Sequence, residues 1–452
     1  MKNIVWFRSD LRTLDNPALH AAITNTPNVE VRAVYYVTEQ QWLAHNWGAN
    51  KIGFVLHGVL DLQKELATLN IELDIEYCAD FKVLPPQLLS YARKHQAKGL
   101  FFNQEYELNE TLRDRNVIKI FSQNSITIQS YNSQTLIEPG IILTKQASPY
   151  NVFTPFKRAC YEYLAGNPIT ITPALKRSPS KNSIQTSSID NRYQHYLQNP
   201  ILKSWQFGQK AALAALNQFC NDRIYNYQDD RDFPALDATS NLSAHLAVGS
   251  ISAKQCFVAA TASNQHEFSS GRAGVVCWIS ELIWRDFYRN IIFHYPRLCK
   301  GENFNRKYDR VAWLDPEPNL TKWQNGQTGV PIVDAAMRQL ITTGWMHNRL
   351  RMIVAMFLTK NLLIDWRHGE EFFSKHLIDL DFASNNGGWQ WSASTGTDAV
   401  PYFRIFNPIT QGKKFDPNGA FVKKYCAESD QIPLIVDISK SRLRAIEHFK
   451  TL

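Results

Sequence analysis

Eight of the 12 tryptophans lie between Trp278 and Trp391, where an even spread over 452 residues would put about three. Trp278 and Trp284 belong to the run Trp278-Ile-Ser-Glu281-Leu-Ile-Trp284-Arg285, and Trp389 and Trp391 to Asn385-Asn-Gly-Gly-Trp389-Gln-Trp391. These indoles keep company with carboxylates, guanidinium groups and amides rather than aliphatic runs. Such surroundings suit a flat, conjugated partner; a large helical core that buries many aromatics is the alternative. Thr239-Ser240-Asn241-Leu242-Ser243 offers three hydroxyls just ahead of the helical-looking Ala244-His-Leu-Ala-Val. Hydroxyls with free backbone N–H groups at a helix start fit a phosphate, and they equally fit an ordinary helix cap. Two acids and two amides flank a glycine pair in Asp379-Leu380-Asp381-Phe-Ala-Ser-Asn385-Asn386-Gly387-Gly388. That pattern presents donors and acceptors to a ligand edge, or else makes a turn. Gly344-Trp345-Met346-His347-Asn348-Arg349-Leu350-Arg351-Met352 sets cations and an amide beside aromatic and thioether groups, a set that suits phosphate, flavin or base edges.

A chain of 452 residues is long enough for two full cores. Its first third alternates short apolar strands with amphipathic helices, the pattern of a parallel α/β sheet covered on both faces. Ile4–Phe7, Val29–Val37, the alternating Ile71, Leu73, Ile75 and Tyr77, then Gly99-Leu-Phe-Phe and Ile126–Ile128 read as five strands. Ile52, Val55, Val59, Leu62, Leu66 and Leu69 recur at helical spacing and predict a crossover helix. From 131 to 200 the pattern gives way to proline, serine and asparagine, with Lys176-Arg-Ser-Pro-Ser-Lys-Asn-Ser as its least structured piece, and reads as an interdomain connector. Residues 201–452 read as an all-helical domain, for example through Leu350, Ile353, Val354, Phe357 and Leu358. No internal repeat and no long heptad run occurs.

The bulk chemistry excludes several classes. The 49 Lys+Arg against 41 Asp+Glu give a net charge of +8, which suits a polyanionic partner without demanding one. Seven cysteines with no CxxC or Cys/His ligand spacing argue against a disulfide framework and a structural zinc site, and for a reducing cytoplasm. Arg8 and Asp10 interrupt the amino terminus too early for a signal sequence, and no long uncharged apolar run suits a membrane span. No G-x-G-x-x-G follows the first strand and no Walker-type loop occurs, so a nucleotide must bind outside the α/β domain.

Taken jointly, Trp6-Phe7-Arg8-Ser9-Asp10-Leu11-Arg12, Arg231-Asp232-Phe233-Pro234-Ala235, Thr239–Ser243, Glu281-Leu-Ile-Trp284-Arg285, Gly344–Met352 and Asn385–Asp398 are highly specific. On these residues the chain resembles the photolyase/cryptochrome family over nearly its whole length, and within it the bacterial class I, folate-antenna enzymes that act on cyclobutane pyrimidine dimers. The resemblance implies FAD in a pocket of the helical domain, with Tyr227 and the loop Thr239, Ser240, Asn241, Leu242 and Ser243 at its phosphates. Trp278, Glu281, Arg351, Asp379, Leu380 and Asp381 would surround the remainder, and Asn385 would face the flavin N5, where an amide accepts from N–H and tolerates the reduced anion. Glu281, Trp284, Asn348, Met352 and Trp391 would meet the lesion, with Arg231, Arg349 and Gln411 at the DNA backbone. Glu281, protonated or hydrogen-bonded in a dry pocket, would support the thymine carbonyls.

By the same resemblance, excited, reduced FAD would lend one electron to a flipped-out dimer and recover it after ring opening, with no metal and no net redox change. Trp389, Trp366 and Trp313 would recharge oxidised flavin. His45, Asn109 and Glu110, with Cys299 and Lys300 from the helical domain, match the folate set, implying 5,10-methenyltetrahydrofolate as a light-harvesting antenna. The chain would work as a monomer on DNA. One departure stands out: after Gly419-Ala-Phe-Val-Lys-Lys-Tyr, the segment Ile432-Pro433-Leu434-Ile-Val-Asp437 leads almost directly into the last helix, without an Ile-His-Glu-Pro-Trp-like motif. Three other readings remain: a cryptochrome-type sensor, which usually carries a long C-terminal extension; repair of (6-4) photoproducts, which relies on a histidine pair where this chain offers His347 followed by Asn348; and a flavin-bearing nucleic-acid binder without catalysis.

Overall fold

The computed structural model describes residues 2–25, 30–175 and 187–452. Val29, expected to open the second strand, and the Lys176–Ser183 stretch lie outside the described residues. Five parallel strands, β1 (Lys2–Phe7), β2 (Glu30–Val37), β3 (Leu73–Tyr77), β4 (Ala97–Asn103) and β5 (Thr127–Tyr131), form one sheet in the order β3-β2-β1-β4-β5. Alternate residues of β1 feed two cores. Val5 and Phe7 pack with α1 (Pro17–Thr24) and α2 (Ala49–Thr68), while Ile4 and Trp6 pack with α3 (Leu84–Lys94) and α4 (Leu108–Ser122). A strand buried on both faces needs such an unbroken apolar run. Strand order reverses between β1 and its neighbours β2 and β4, which opens a crevice at their carboxyl ends. Two boundaries differ from expectation: Ile71 is buried ahead of β3 rather than in it, and β5 runs on to Tyr131.

Residues 131–200 are not a bare connector. Phe153–Gly166 forms helix α5, whose Phe153, Phe156, Cys160 and Leu164 enter the helical core. Pro155 hid it from the sequence reading, yet proline in a first turn gives up an N–H that has no intrahelical partner anyway. Ile189, Tyr193 and Tyr196 pack back onto the α/β core. Beyond β5 no strand forms among the described residues. Site-bearing helices there are α6 (Ser243–Val248), α7 (Ala273–His294), α8 (Asn348–Met356), α9 (Trp366–His376) and α10 (Phe382–Ala393), followed by the terminal α11 (Ile438–Lys450). The run beginning at Leu350 is not one continuous α-helix: α8 stops at Met356 and passes into a π-helical turn, Phe357–Asn361. The shortened segment before α11 is anchored by Ile435 N–H donating to the Thr328 carbonyl at 3.0 Å, and α11 docks on the π turn through Asn361 Nδ2 to Ser441 Oγ at 2.9 Å.

A polar seam joins the two halves, and it engages Leu11 and Arg12 of the Trp6–Arg12 run. Buried Arg12 donates to the carbonyls of Gly249 at 3.0 Å and Asp15 at 2.9 Å, Leu11 N–H donates to Val248, and Ser252 Oγ donates to Asp15 Oδ2 at 2.6 Å. Gly249 has φ of +72°, and a Cβ there would lie 2.2 Å from the Ser9 carbonyl oxygen. Gly249→Ala should therefore cost about 3 kcal/mol, from left-handed backbone plus overpacking. The expected readout is a clear fall in Tm, and an unchanged Tm would contradict this close approach.

Candidate functional site

Helix α7 carries the first group of site residues on successive turns. Trp278 is buried against Phe219, with ring centroids 5.0 Å apart, and Phe219 meets Tyr227 edge-on at 5.7 Å. Half-buried Trp284 stacks one face on Phe153 at 3.6 Å and 10°, so the missed helix α5 supplies part of the wall. Glu281 Oε1 accepts from Arg231 Nη1 at 2.5 Å, Arg231 approaches Asp232 at 3.8 Å, and Asp232 Oδ2 accepts from Arg349 Nη2 at 2.6 Å. These four groups make a ladder of alternating charge between α7 and α8. Both arginines expected at a DNA backbone are thus held by carboxylates, and Glu281 is engaged by a guanidinium. Arg349 also covers Phe415, which closes the helix that bears Gln411. Asn348 is exposed and Met352 and Trp391 are half-buried.

The second group hangs on two aspartates facing different helices. Asp379 Oδ2 accepts from Arg351 Nη2 at 2.7 Å, and Arg351 is pinned further by donating from Nε to the Met346 carbonyl at 2.8 Å. The Asp379 Oδ1 is buried with no partner among the described residues. Asp381 is ion-paired to Arg289 on α7, and caps α10 by accepting from Ser384 N–H at 2.9 Å. Burial alone would raise the Asp381 carboxyl, but Arg289 and Arg285 beside it, with the Ser384 hydrogen bonds, hold it well below the usual carboxylate range. Leu380 is buried between the two. On α10, Asn385 donates from Nδ2 to the Glu370 carbonyl and to Ser374 Oγ, both at 3.1 Å, which fixes its Oδ1 as the free acceptor. The turn reading of this stretch is corrected: Asn385–Gly388 lie inside a helix, and Gly387 is required because a Cβ would lie 2.2 Å from the Tyr288 ring.

In Thr239–Ser243 no side chain caps α6, so the helix-cap reading fails and the hydroxyls are left for other partners. Asn241 takes a left-handed φ of +56°, Leu242 is fully buried, and Ser243 Oγ accepts from Trp345 Nε1 at 3.3 Å. His347 is buried and accepts at Nδ1 from Arg349 N–H at 3.2 Å, capping α8; burial pushes its imidazole down to about 4, so it is neutral at ordinary pH. Trp389 is buried against Phe373 and Trp323, its ring filling the place a Cβ on Gly369 would take. Trp366, fully buried, donates to Asn303 Oδ1 at 2.9 Å with the Arg367 guanidinium 4.7 Å from its ring, and half-buried Trp313 lies near Phe449.

A cavity of about 360 Å³ fills the crevice between the sheet and the helical half. His45, Asn109, Glu110 and Cys299 line it, with Asn109 Nδ2 2.8 Å from His45 Nε2 and His45 Nδ1 3.5 Å from Glu110. Lys300 is exposed and outside the lining. Burial, then Glu107 and Glu105 nearby, push the Glu110 carboxyl up to about 8, and burial lowers His45, so this end of the cavity is close to neutral. Asp381 and Arg289 line the far side.

Comparison with known proteins decides the family. The model described as DNA photolyase matches residues 3–177, and that of the FAD binding domain of DNA photolyase matches residues 278–448. The deoxyribodipyrimidine photo-lyase of Escherichia coli is 44% identical over 433 residues, 95% of this chain and 90% of the relative. The chain belongs to the DNA photolyase family. A solved class III photolyase from Agrobacterium tumefaciens covers 100% of this chain and 97% of its own at TM-score 0.86 and 33% identity, and a Synechocystis cryptochrome covers 99% and 98% at 0.83 and 27%.

The photolyase family binds FAD in its helical domain, and the residues here fit it. A pinned guanidinium, an unpartnered buried carboxylate oxygen, an oriented amide acceptor and an uncapped hydroxyl loop form a cradle for a charged heterocycle with a phosphate tail. Sequence reasoning missed Asp232, Phe153 and Arg289. Arg289 had a signal, lying four residues after Arg285 on the same helix face; Asp232 and Phe153 gain their meaning only from partners more than a hundred residues away. Asp379→Ala strands Arg351 and removes the free oxygen, so retained FAD per protein should fall by about tenfold or more. Full flavin occupancy with native circular dichroism in that variant would contradict the cradle.

Proposed function

We propose that this chain repairs cyclobutane pyrimidine dimers in DNA, driven by light. The observation that carries the reading is the placement on one helix, α7, of Trp278 at the flavin cradle and, three and six residues further on, of Glu281 and Trp284 at an aromatic wall shared with Phe153. Bound, reduced and photoexcited FAD supplies one electron to the dimer and takes it back. Relatives named deoxyribodipyrimidine photo-lyase, at 42–44% identity, support the same substrate.

The chain's own residues do the rest. Trp284 and Trp391 offer apolar faces to a splayed, poorly stacked dimer, which is easier to extrude than a normal base pair. Glu281, oriented by Arg231, meets the thymine carbonyl edge, and its ion pair holds local charge nearly balanced while negative charge develops on the base. Arg231 and Arg349 sit on the rim, each partly neutralised by Asp232, so phosphate contact exchanges one anion for another. Trp389, Trp366 and Trp313 run from buried to half-exposed and recharge oxidised flavin. In the interdomain cavity His45, Asn109, Glu110 and Cys299 would hold 5,10-methenyltetrahydrofolate, which would supply light harvesting as antenna. The neutral, helix-capping His347 is unsuited to the acid–base work of (6-4) repair. The protein acts as a cytoplasmic monomer; its cysteines are all free, and no described helix is long and apolar enough to cross a membrane.

Illumination of reduced enzyme with ultraviolet-treated DNA should remove cyclobutane dimers and leave (6-4) lesions; the reverse selectivity, or loss in the dark, would overturn the proposal. Glu281→Ala should lower the repair yield by about tenfold, and an unchanged yield would point to a flavin-bearing binder. Trp389→Phe should block photoreduction of oxidised flavin while chemically reduced enzyme still repairs. Equal photoreduction would remove the indole from the relay.

A further inference from the structure

Lys51 lies in the first turn of α2 and lines the interdomain cavity. Its backbone is held in place: Asn50 Nδ2 donates to the His376 carbonyl at 2.6 Å, and a Cβ on Gly48 would lie 1.7 Å from the Lys375 carbonyl oxygen. The side chain is 2% exposed, and its Nζ has no hydrogen-bond partner. Other cations around the cavity are matched. Arg8 pairs with Asp114, Arg113 with Glu105 and Arg289 with Asp381, leaving Lys51 as the one cation of the lining without an acidic partner among the described residues. Asp379 and Asp381 influence it from a distance but are already committed to Arg351 and Arg289. Trp47, 5.5 Å from the ammonium, is its nearest electron-rich surface. Burial pushes the ammonium down to about 8, the mark of a group that gives up solvent with little in return.

An unpartnered buried donor is costly, and it persists where something else satisfies it. We infer that Lys51 donates to a ring carbonyl oxygen of the antenna chromophore in this cavity. The inference rests on the antenna reading above and deepens it. Depth selects the ring over a carboxylate tail, since a charged, flexible tail belongs at the solvent mouth and Lys51 has no exposed surface to offer it. The cavity walls favour a flat fused heterocycle, with Trp42, Trp47 and Phe81 as aromatic surfaces. Glu107 and Glu110, in the same lining, offer acceptors for ring N–H groups. A lactam carbonyl of a pterin or of an isoalloxazine has the required chemistry. A cation at that oxygen also stabilises an excited state that moves negative charge toward the carbonyl, so the bound chromophore should absorb at longer wavelength than without it.

The test uses FAD-loaded, antenna-free enzyme, titrated separately with 5,10-methenyltetrahydrofolate and with FMN. For whichever chromophore wild type binds, Lys51→Met should weaken Kd by about tenfold and move the bound absorption band to shorter wavelength. Lys51→Gln, which keeps a donor, should recover part of both. FAD content should stay constant, and the Tm of antenna-free Lys51→Met should hold or rise, because an unmet buried donor has been removed. Equal Kd and band position in Lys51→Met overturn this inference alone. Loss of FAD and a fall in Tm in that variant assign Lys51 to structure and overturn it too. A wild-type cavity that takes neither chromophore overturns this inference together with the antenna reading.

Discussion

Two buried aspartates, two residues apart, fix the geometry on which the site depends. Asp379 reaches Arg351 on α8 and Asp381 reaches Arg289 on α7, so the short segment between α9 and α10 is clamped to two helices at once. Breaking one partner of a buried pair costs about 3–5 kcal/mol because the other charge is stranded. The consequence is positional. Asp381 also caps α10, and α10 carries Asn385, Trp389 and Trp391, so one clamp sets the amide acceptor, the inner indole of the proposed relay and one wall of the proposed lesion pocket.

Around that clamp the charges are arranged so that few are free. Glu281, Arg231, Asp232 and Arg349 form a ladder in which each group is held by its neighbour. The surface proposed for a flat, neutral lesion is therefore one whose charges are close to balanced, with rim arginines able to trade one anion for another. Among the buried polar atoms left without a partner, Asp379 Oδ1 lies at the flavin cradle and Lys51 Nζ in the interdomain cavity.

Much of this was legible in the residues, for identifiable reasons. The parallel sheet was readable because strands buried on both faces need unbroken apolar runs, as Ile4–Phe7 shows. Helix α5 was not, since Pro155 and the polar residues around it look like a linker until Phe153 and Phe156 find their core. Asn385-Asn-Gly-Gly looks like a turn; it is held as helix because Gly387 admits the Tyr288 ring and its asparagines find partners across the fold in Glu370 and Ser374. The chemical identity of the site residues could be seen in sequence, but their pairing could not: Asp232 and Arg349 are 117 positions apart, and no local pattern joins them.

The central claim is that an electron leaves and returns within one light-driven cycle on this frame. Time-resolved flavin absorbance after a single flash, recorded on reduced enzyme bound to an oligonucleotide with one cyclobutane dimer, tests it most directly. The account predicts a transient change that recovers completely, with intact thymines in the product. A lasting oxidation of flavin in step with each dimer lost, or dimers that survive while the transient comes and goes, would contradict it.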